Sequence, residues 1–589
     1  MPEKGVEPSR PCGQRILSPP RLPFRHSGLF FKNSMKRKFH PQAGAIPAFA
    51  RWTRPVRSVT LPSPLQAGAG ESGWSRSSTM AFAVAIPTRA PSEHRDLAFW
   101  MKRTLEELAE LRANPSPRAV HDFRVALRRC RSVAAAVLEI DPHPAWDEMR
   151  GCARKVFRSM GDLRDAQIME DWLCELRPQD DAVKSALLLS LQQEQEVARL
   201  KALHLAGRFD EKSWSELART LPARLRKIPS DGEAARCLAL ERLEEAKELH
   251  RRALRTERPE PWHELRVGIK RFRYTLELLV PSLHVKWIDS LKRAQDVLGD
   301  VHDLHMLQEK LSEGRARFDA ELTKDWQARI AAIRQERLQT YRQFALGGAS
   351  IWQNWLGSFP RHDWPAYSTG RISATRKAMD PRPARSLAVL RIAKRLWSEL
   401  RVSDVKQFAD ANERRLLEAA ARLSGIRYTA GRKSRVKSAR TFLLHVPAPP
   451  GWSFAEWERV AWAIRFQRGP HPGPANKRFS KLPVEQQTAI GLLAGALRLA
   501  VAAQRSGVTS GAAIRIERLS QGLLLHVEGV AETPEVAARF AEAKHPLEHA
   551  LGKTILVQPS VRAQIPPTNH LPDERTKKQT APPPVAVIR

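Results

Sequence analysis

Two stretches 142 residues apart limit what this chain can fold into: "VHDFRVALRRCR" at residues 120–131 and "WHELRVGIKRFR" at residues 262–273. Counted from each histidine, His121, Arg124, Arg128 and Arg131 take steps 0, 3, 7 and 10, and His263, Arg266, Lys270 and Arg273 take the same steps. At 100° per residue either set falls within an arc of roughly 80° on a helix. Phe123, Leu127, Cys130 and Ala134 form an adjoining apolar face, matched by Leu265, Ile269, Phe272 and Leu276. Each stretch therefore reads as a helix with one face for a core and the next face for an anion. Arg129 and Arg271 also correspond, but both lie off the stripe.

A second pair of motifs supports duplication. "GDLRD" at 161–165 parallels "GDVHD" at 299–303, placing Asp165 and Asp303 in equivalent positions. Counting back from each glycine, Arg154 and Lys155 correspond to Lys292 and Arg293. Each half reads as a basic-stripe helix, a helix bearing a basic pair, and then a Gly-Asp turn. Two similar helical bundles about a pseudo-twofold axis are the expectation. The two aspartates read as helix caps or as partners for a stripe arginine rather than as acid–base catalysts.

At 589 residues the chain is too long for one core. Its 98 Lys and Arg against 63 Asp and Glu give a formal charge of +35, which biases it toward anionic partners. Nucleic acid, inorganic polyphosphate and acidic membrane are the candidates. No uninterrupted apolar run approaches the roughly 18 residues of a membrane span, so a soluble protein is expected. The five cysteines (Cys12, Cys130, Cys152, Cys174 and Cys237) show no C-x-x-C pair, and an odd count suits a reducing cytoplasm better than a disulfide scaffold. Cys130 falls on the apolar face and reads as a packed thiol.

Residues 1–88 are rich in Pro, Ser, Gly and Arg, with no Asp before residue 96, and read as a disordered basic segment. A transit peptide is a further reading, but a disordered tail or a translation start at Met80 is preferred. Residues 89–345 carry helical periodicity, with "NPSPRAV" and "RPEPWHE" marking the starts of the two stripe helices. Residues 346–381, rich in Gly, Pro, Ser and Trp, read as a linker. From 382 to 560 helical patterning resumes, then "AAIRIERLSQGLLLHVEGV" alternates about Ser520-Gln521-Gly522 like a β-hairpin, and "TILVQPSV" suggests one more strand. Residues 561–589 read as a disordered tail. The fold class expected is mainly α, with a small sheet near the C-terminus.

The paired "HxxRVxxRRxR" and "HxxRVxxKRxR" helices, each followed by its Gly-Asp motif, resemble the conserved-histidine α-helical domain, or CHAD. The resemblance implies two four-helix bundles around a basic groove that binds inorganic polyphosphate. It assigns one wall of that groove to His121, Arg124, Arg128, Arg131, Arg154 and Lys155. The other wall falls to His263, Arg266, Lys270, Arg273, Lys292 and Arg293. A linear polyanion suits such a stripe, because binding gains from counterion release to Lys and Arg. Neighbouring cations would hold His121 and His263 neutral until phosphate arrives. The rival reading is an idle solvated face.

Residues 382–558 resemble, through "RIAKRLWSEL", "ERRLLEAAARLSGI", "PGWSFAEWERVAWAIRFQR" and "LLAGALRLAVAAQRS", the helical C-terminal domain of exopolyphosphatase and guanosine pentaphosphate phosphohydrolase proteins. That family is related to His-Asp metal-dependent hydrolases and keeps a His-Asp pair where this chain has Ser424-Gly425. No His occurs between residues 363 and 444, so no metal and no cofactor are expected. "AGRKSRVKSAR" offers Arg432, Lys433, Arg435, Lys437 and Arg440 as a basic surface or a solvated loop. No Gly-rich phosphate loop marks an ATPase domain. The expected function is non-enzymatic polyphosphate binding in the cytoplasm, at polyphosphate granules. A polyphosphate hydrolase and a nucleic-acid binder are the alternatives.

Overall fold

The computed structural model describes residues 96–560 apart from 178, 315–318, 404–407, 409, 428–437, 470 and 474–475. The N-terminal segment, the C-terminal tail and the basic positions Arg432, Lys433, Arg435 and Lys437 lie outside the described residues.

The first half runs α1 (Leu97–Ala113), α2 (Pro117–Val137), α3 (Pro144–Leu176), α4 (Ala182–Gly207) and α5 (Glu211–Leu225). The second half repeats the plan with α6 (Glu233–Leu254), α7 (Pro259–Leu279), α8 (Pro281–Gly314) and α9 (Ala320–Ala345). α2 and α7 are both 21 residues long and keep the offset of 142 at either end. α4 and α9 are both 26 residues, offset by 138. Consecutive helices pack as neighbours from α1 to α4 and from α6 to α9, α5 packs on α1 and α3, and α2 meets α7 and α3 meets α8 across the pseudo-twofold.

Local chemistry sets the ends of these helices. Ser116 accepts a hydrogen bond from the Ala119 N–H at 3.2 Å, and Pro117 opens α2, where its missing N–H costs nothing. Pro144, Pro259 and Pro281 likewise open α3, α7 and α8. The apolar faces read from the sequence go where they should: Phe123, Leu127, Cys130, Ala134, Leu265, Ile269, Phe272 and Leu276 are all fully buried in one core. Burial pushes the Cys130 thiol up to about 12. A second, smaller core joins the far ends of α3, α4, α8 and α9 around Trp172, Leu191, Leu307 and Trp326.

Two sequence expectations need correction. Neither Gly-Asp motif is a turn, because α3 and α8 run unbroken through 161–165 and 299–303 for 33 and 34 residues. A glycine inside a helix costs only about 1 kcal/mol, which packing along both cores outweighs. The missing side chain also leaves room: a Cβ at Gly161 would stand 3.8 Å from Arg124 Nη2.

Nor do residues 346–381 form a free linker. They fold as α10 (Ile351–Gly357) and α11 (Trp364–Met379), and α11 lies along α6. Trp352, Trp355, Phe359 and Tyr367 are buried in the main core. The indole of Trp355 donates to Ser290 Oγ at 3.0 Å. Two of the residues that suggested a linker have structural roles in α11. Pro365 opens α11, and a Cβ at Gly370 would collide with Glu233.

The remainder comprises α12 (Pro383–Val402), α13 (Ala411–Arg422), α14 (Ala439–Leu443), α15 (Phe454–Phe466) and α16 (Val484–Arg505). β1 (Ile514–Leu519), β2 (Gly522–Glu528), α17 (Pro534–Leu551) and β3 (Thr554–Ser560) follow. β1 and β2 make the expected hairpin, and α17 carries the chain across so that β3 pairs in parallel with β2. Among the described residues α16 is the one helix long and apolar enough to cross a membrane, yet 72% of its most apolar window is buried within this half.

Candidate functional site

α2 and α7 place the two stripes side by side. Lys270 on α7 is crowded by Arg266 on its own helix and by Arg128 and Arg124 on α2. Burial first, and then this repulsion, lower its pKa to about 7, with Asp303 pulling the other way. The Arg124 pKa is depressed by burial against the pull of Asp165. Arg131 is brought to about 10 by burial and by Arg150, Arg154 and Arg158.

The partners of these cations separate the stripes from their surroundings. The off-stripe arginines are neutralised: Arg129 pairs with Glu277, and Arg271 with Glu245 at 3.0 Å. On the stripes, Arg124, Arg128 and Lys270 form no ion pair among the described residues. Arg124 and Arg131 stack on Phe157, at 5.4 and 4.9 Å, and Arg128 stacks on Tyr274 at 5.6 Å. Arg131 donates to the Arg150 carbonyl at 2.9 Å and Arg273 to Gln295 at 2.5 Å. Arg266 has a carboxylate, Asp303, at a loose 3.9 Å. The Nε groups of Arg124, Arg128, Arg266 and Arg273 are buried without a hydrogen-bond partner.

Asp165 and Asp303 lie mid-helix and face the stripes, so neither caps a helix. Burial raises the Asp303 pKa against the pull of Arg266 and Lys270, and Asp165 raises it further. The histidines differ from expectation. His121 is exposed at the start of its stripe, and the main cause of its lowered pKa is lost hydration rather than the cations Arg128, Arg164 and Arg124, with Asp122 opposing. His263 meets His302 of α8, ring nitrogen to ring nitrogen, at 3.2 Å. Burial and Arg266 bring His302 down to about 2.

Of the basic pairs, one member each turns toward the stripes. Arg154 lies within electrostatic reach of Arg131, and Lys292 shares Asp296 with Arg273. Arg293, one residue or about 100° further round, stacks on Phe344 of α9 at 4.5 Å. Lys155 is exposed at the equivalent place on α3. The sequence reading passed over Arg164 and His302, which occupy the fourth position of each Gly-Asp motif and join the stripe electrostatics. Their shared offset of 138 was the available signal.

At Ser424-Gly425 a side chain on residue 425 would collide with the buried Asp380 carboxylate. Asp380 accepts from Ser386 Oγ at 2.6 Å and from the Arg382 N–H at 2.8 Å. Among the described residues no group of three or more His, Cys, Asp or Glu could hold a metal ion.

Comparison with known proteins adds three findings. No curated protein matches the chain. A crystal structure of the CHAD domain from the plant Ricinus communis matches at 22% identity, covering 42% of this chain and 88% of that chain, with a TM-score of 0.32. The family model described as the CHAD domain matches residues 97–312, the segment that holds both stripes and both basic pairs.

Proposed function

We propose that the CHAD segment binds inorganic polyphosphate in a basic groove between α2 and α7, without enzymatic turnover. One observation carries this reading: Arg124, Arg128 and Lys270 converge from two helices and form no ion pair among the described residues, with Asp165 and Asp303 only within electrostatic reach, while Arg129 and Arg271 just off the stripes are paired. A solvated face would gain nothing from that crowding. A chain of phosphates would relieve the repulsion and occupy the idle guanidinium donors. The aromatic rings near the stripes are covered by arginines rather than bare for stacking bases, which disfavours single-stranded nucleic acid. A place at polyphosphate granules in the cytoplasm would suit such a protein.

The deciding experiment is competition between polyphosphate and RNA at matched salt. Polyphosphate should displace RNA at lower phosphate concentration, and the reverse order would favour the nucleic-acid reading. The hydrolase alternative predicts phosphate release from the pure full chain with Mg²⁺ or Mn²⁺. The expected result is none, and chelator-sensitive release would overturn the non-enzymatic reading.

The proposed site also has a pH signature. A bound polyanion favours the charged form of Lys270, which the free protein holds near 7, so binding takes up a proton. Affinity should therefore rise as pH falls from about 8 to about 6. Lys270→Arg keeps the cation but cannot titrate in that window, so its pH profile should be flatter while its salt dependence persists. Retention of the full slope in that variant, with loss in His121→Gln/His263→Gln, would return the role to the histidines.

A further inference from the structure

Four arginines outside the stripe motifs gather in the C-terminal half. Arg385 lies in the first turn of α12, Arg427 shortly beyond α13, Arg468 just past α15, and Arg505 ends α16. All four are exposed. The Arg427 N–H donates to the Met379 carbonyl at 3.0 Å, just before α12; Arg498 of α16 donates to the Gly469 carbonyl at 2.9 Å, beside Arg468; and Arg391 of α12 donates to the Thr509 carbonyl at 3.0 Å, just past Arg505. Arg468 is within electrostatic reach of the other three. Among the described residues none of the four forms an ion pair. Arginines elsewhere on these helices do: Arg422 pairs with Glu418 at 3.5 Å and Arg498 with Glu542 at 2.7 Å. Asp380, which lies against Gly425, is buried and already engaged by Ser386 and the Arg382 N–H.

A purely structural account explains part of this. Arg505 ends α16 and Arg468 lies just past α15, where a cation is favoured by the helix dipole. Arg385 is the opposite case. It stands at the positive end of α12, whose first turn holds no acidic residue, and within electrostatic reach of Arg468. Helix capping gives no reason to bring the four together.

We propose that Arg385, Arg427, Arg468 and Arg505 form a second anion site, distinct from the stripes, for a compact and multiply charged phosphate group. Cations converging from four elements suit a compact anion, whereas the two stripes suit a long one. Guanidinium forks can each grip two phosphate oxygens. A nucleotide's polyphosphate tail and a short run of inorganic polyphosphate share this chemistry. The site does not depend on what the stripes bind.

The test is calorimetry on the full chain with tripolyphosphate and, separately, ATP at fixed low salt. Arg427→Gln/Arg505→Gln should remove one class of site, about one per chain, and leave any stripe binding intact. Arg128→Glu/Lys270→Glu should keep that class. Arg427→Lys/Arg505→Lys should weaken it about tenfold by losing the forks. If ATP binds this class at least tenfold tighter than tripolyphosphate, a nucleotide is the source, and the opposite order assigns inorganic polyphosphate. Arg385→Gln/Arg468→Gln is the independent second pair, with a thermal melt confirming that each variant is folded. Unchanged stoichiometry and affinity in both folded Gln pairs would overturn the proposal. If the stripes fail to bind, the wild type should show this one class alone, still lost in the Gln pairs.

Discussion

Full-length protein carrying Arg128→Glu and Lys270→Glu will bind polyphosphate at least about a hundredfold more weakly than the parent in about 0.1 M salt. Each reversal removes a charge-assisted contact of roughly 1.5–3 kcal/mol, and two such losses amount to a factor of about 10² to 10⁴. The control is Arg54→Glu/Arg57→Glu, which makes the same change in net charge within residues 1–79. It should cost only a few-fold, through the long-range field. Filter retention or calorimetry with one defined chain length would read both. Equal losses would mean that +35 acts as a diffuse cloud and that the alignment of α2 with α7 has no part in binding.

The second large effect concerns stability. Arg371 of α11 is buried, pairs with Glu241 of α6, and donates to the Pro447 carbonyl at 3.1 Å. Arg371→Met leaves a carboxyl buried without its cation, which typically costs about 3–5 kcal/mol. Arg371→Met/Glu241→Gln removes both charges and should recover all but roughly 1–2 kcal/mol in urea melts, since an uncharged pair need not be neutralised. Burial holds Glu241 up, to about 7, even beside Arg371. A folded-state pKa above the unfolded value near 4.5 means that this group's stabilisation is present at low pH and fades as pH rises toward 7. Glu241→Gln should remove that slope. A double variant as unstable as the single one would show that the methionine, rather than the orphaned carboxyl, does the damage.

Features tied to helical period were legible in the sequence. All eight apolar-face residues are buried, α2 and α7 keep the motif offset at both ends, and the hairpin about Ser520-Gln521 forms as read. What misled was composition read locally. Gly161 and Gly299 signalled turns because glycine is a poor helix former, yet α3 and α8 each pack along two cores, which overrides that preference. The Pro, Gly and Ser of 346–381 outweighed Trp352 and Trp355, whose large apolar surfaces were the better guide. The motif spacing put the stripe cations on one face of each helix but could not separate paired from unpaired ones. Whether Arg129 is satisfied depends on Glu277, 148 residues away and on another helix. The apolar motifs of residues 382–558 mark a core but no chemistry, and the arginine quartet is assembled from four elements that no local pattern connects.

α11 has one further consequence. Tyr367 and Ala374 belong to the core shared with the stripes, while Ile372 and Met379 belong to the core of the C-terminal half. Ser368 Oγ also donates to the Pro450 carbonyl at 2.6 Å, tying the same helix to the segment before α15. A helix owned by both halves removes the seam along which domains are traded in evolution. A recombination point placed after residue 345 would strip the stripe domain of Trp352, Trp355 and Tyr367, and one placed after 381 would expose Ile372 and Met379. Cutting the chain at either point would therefore bare apolar surface in one of the halves.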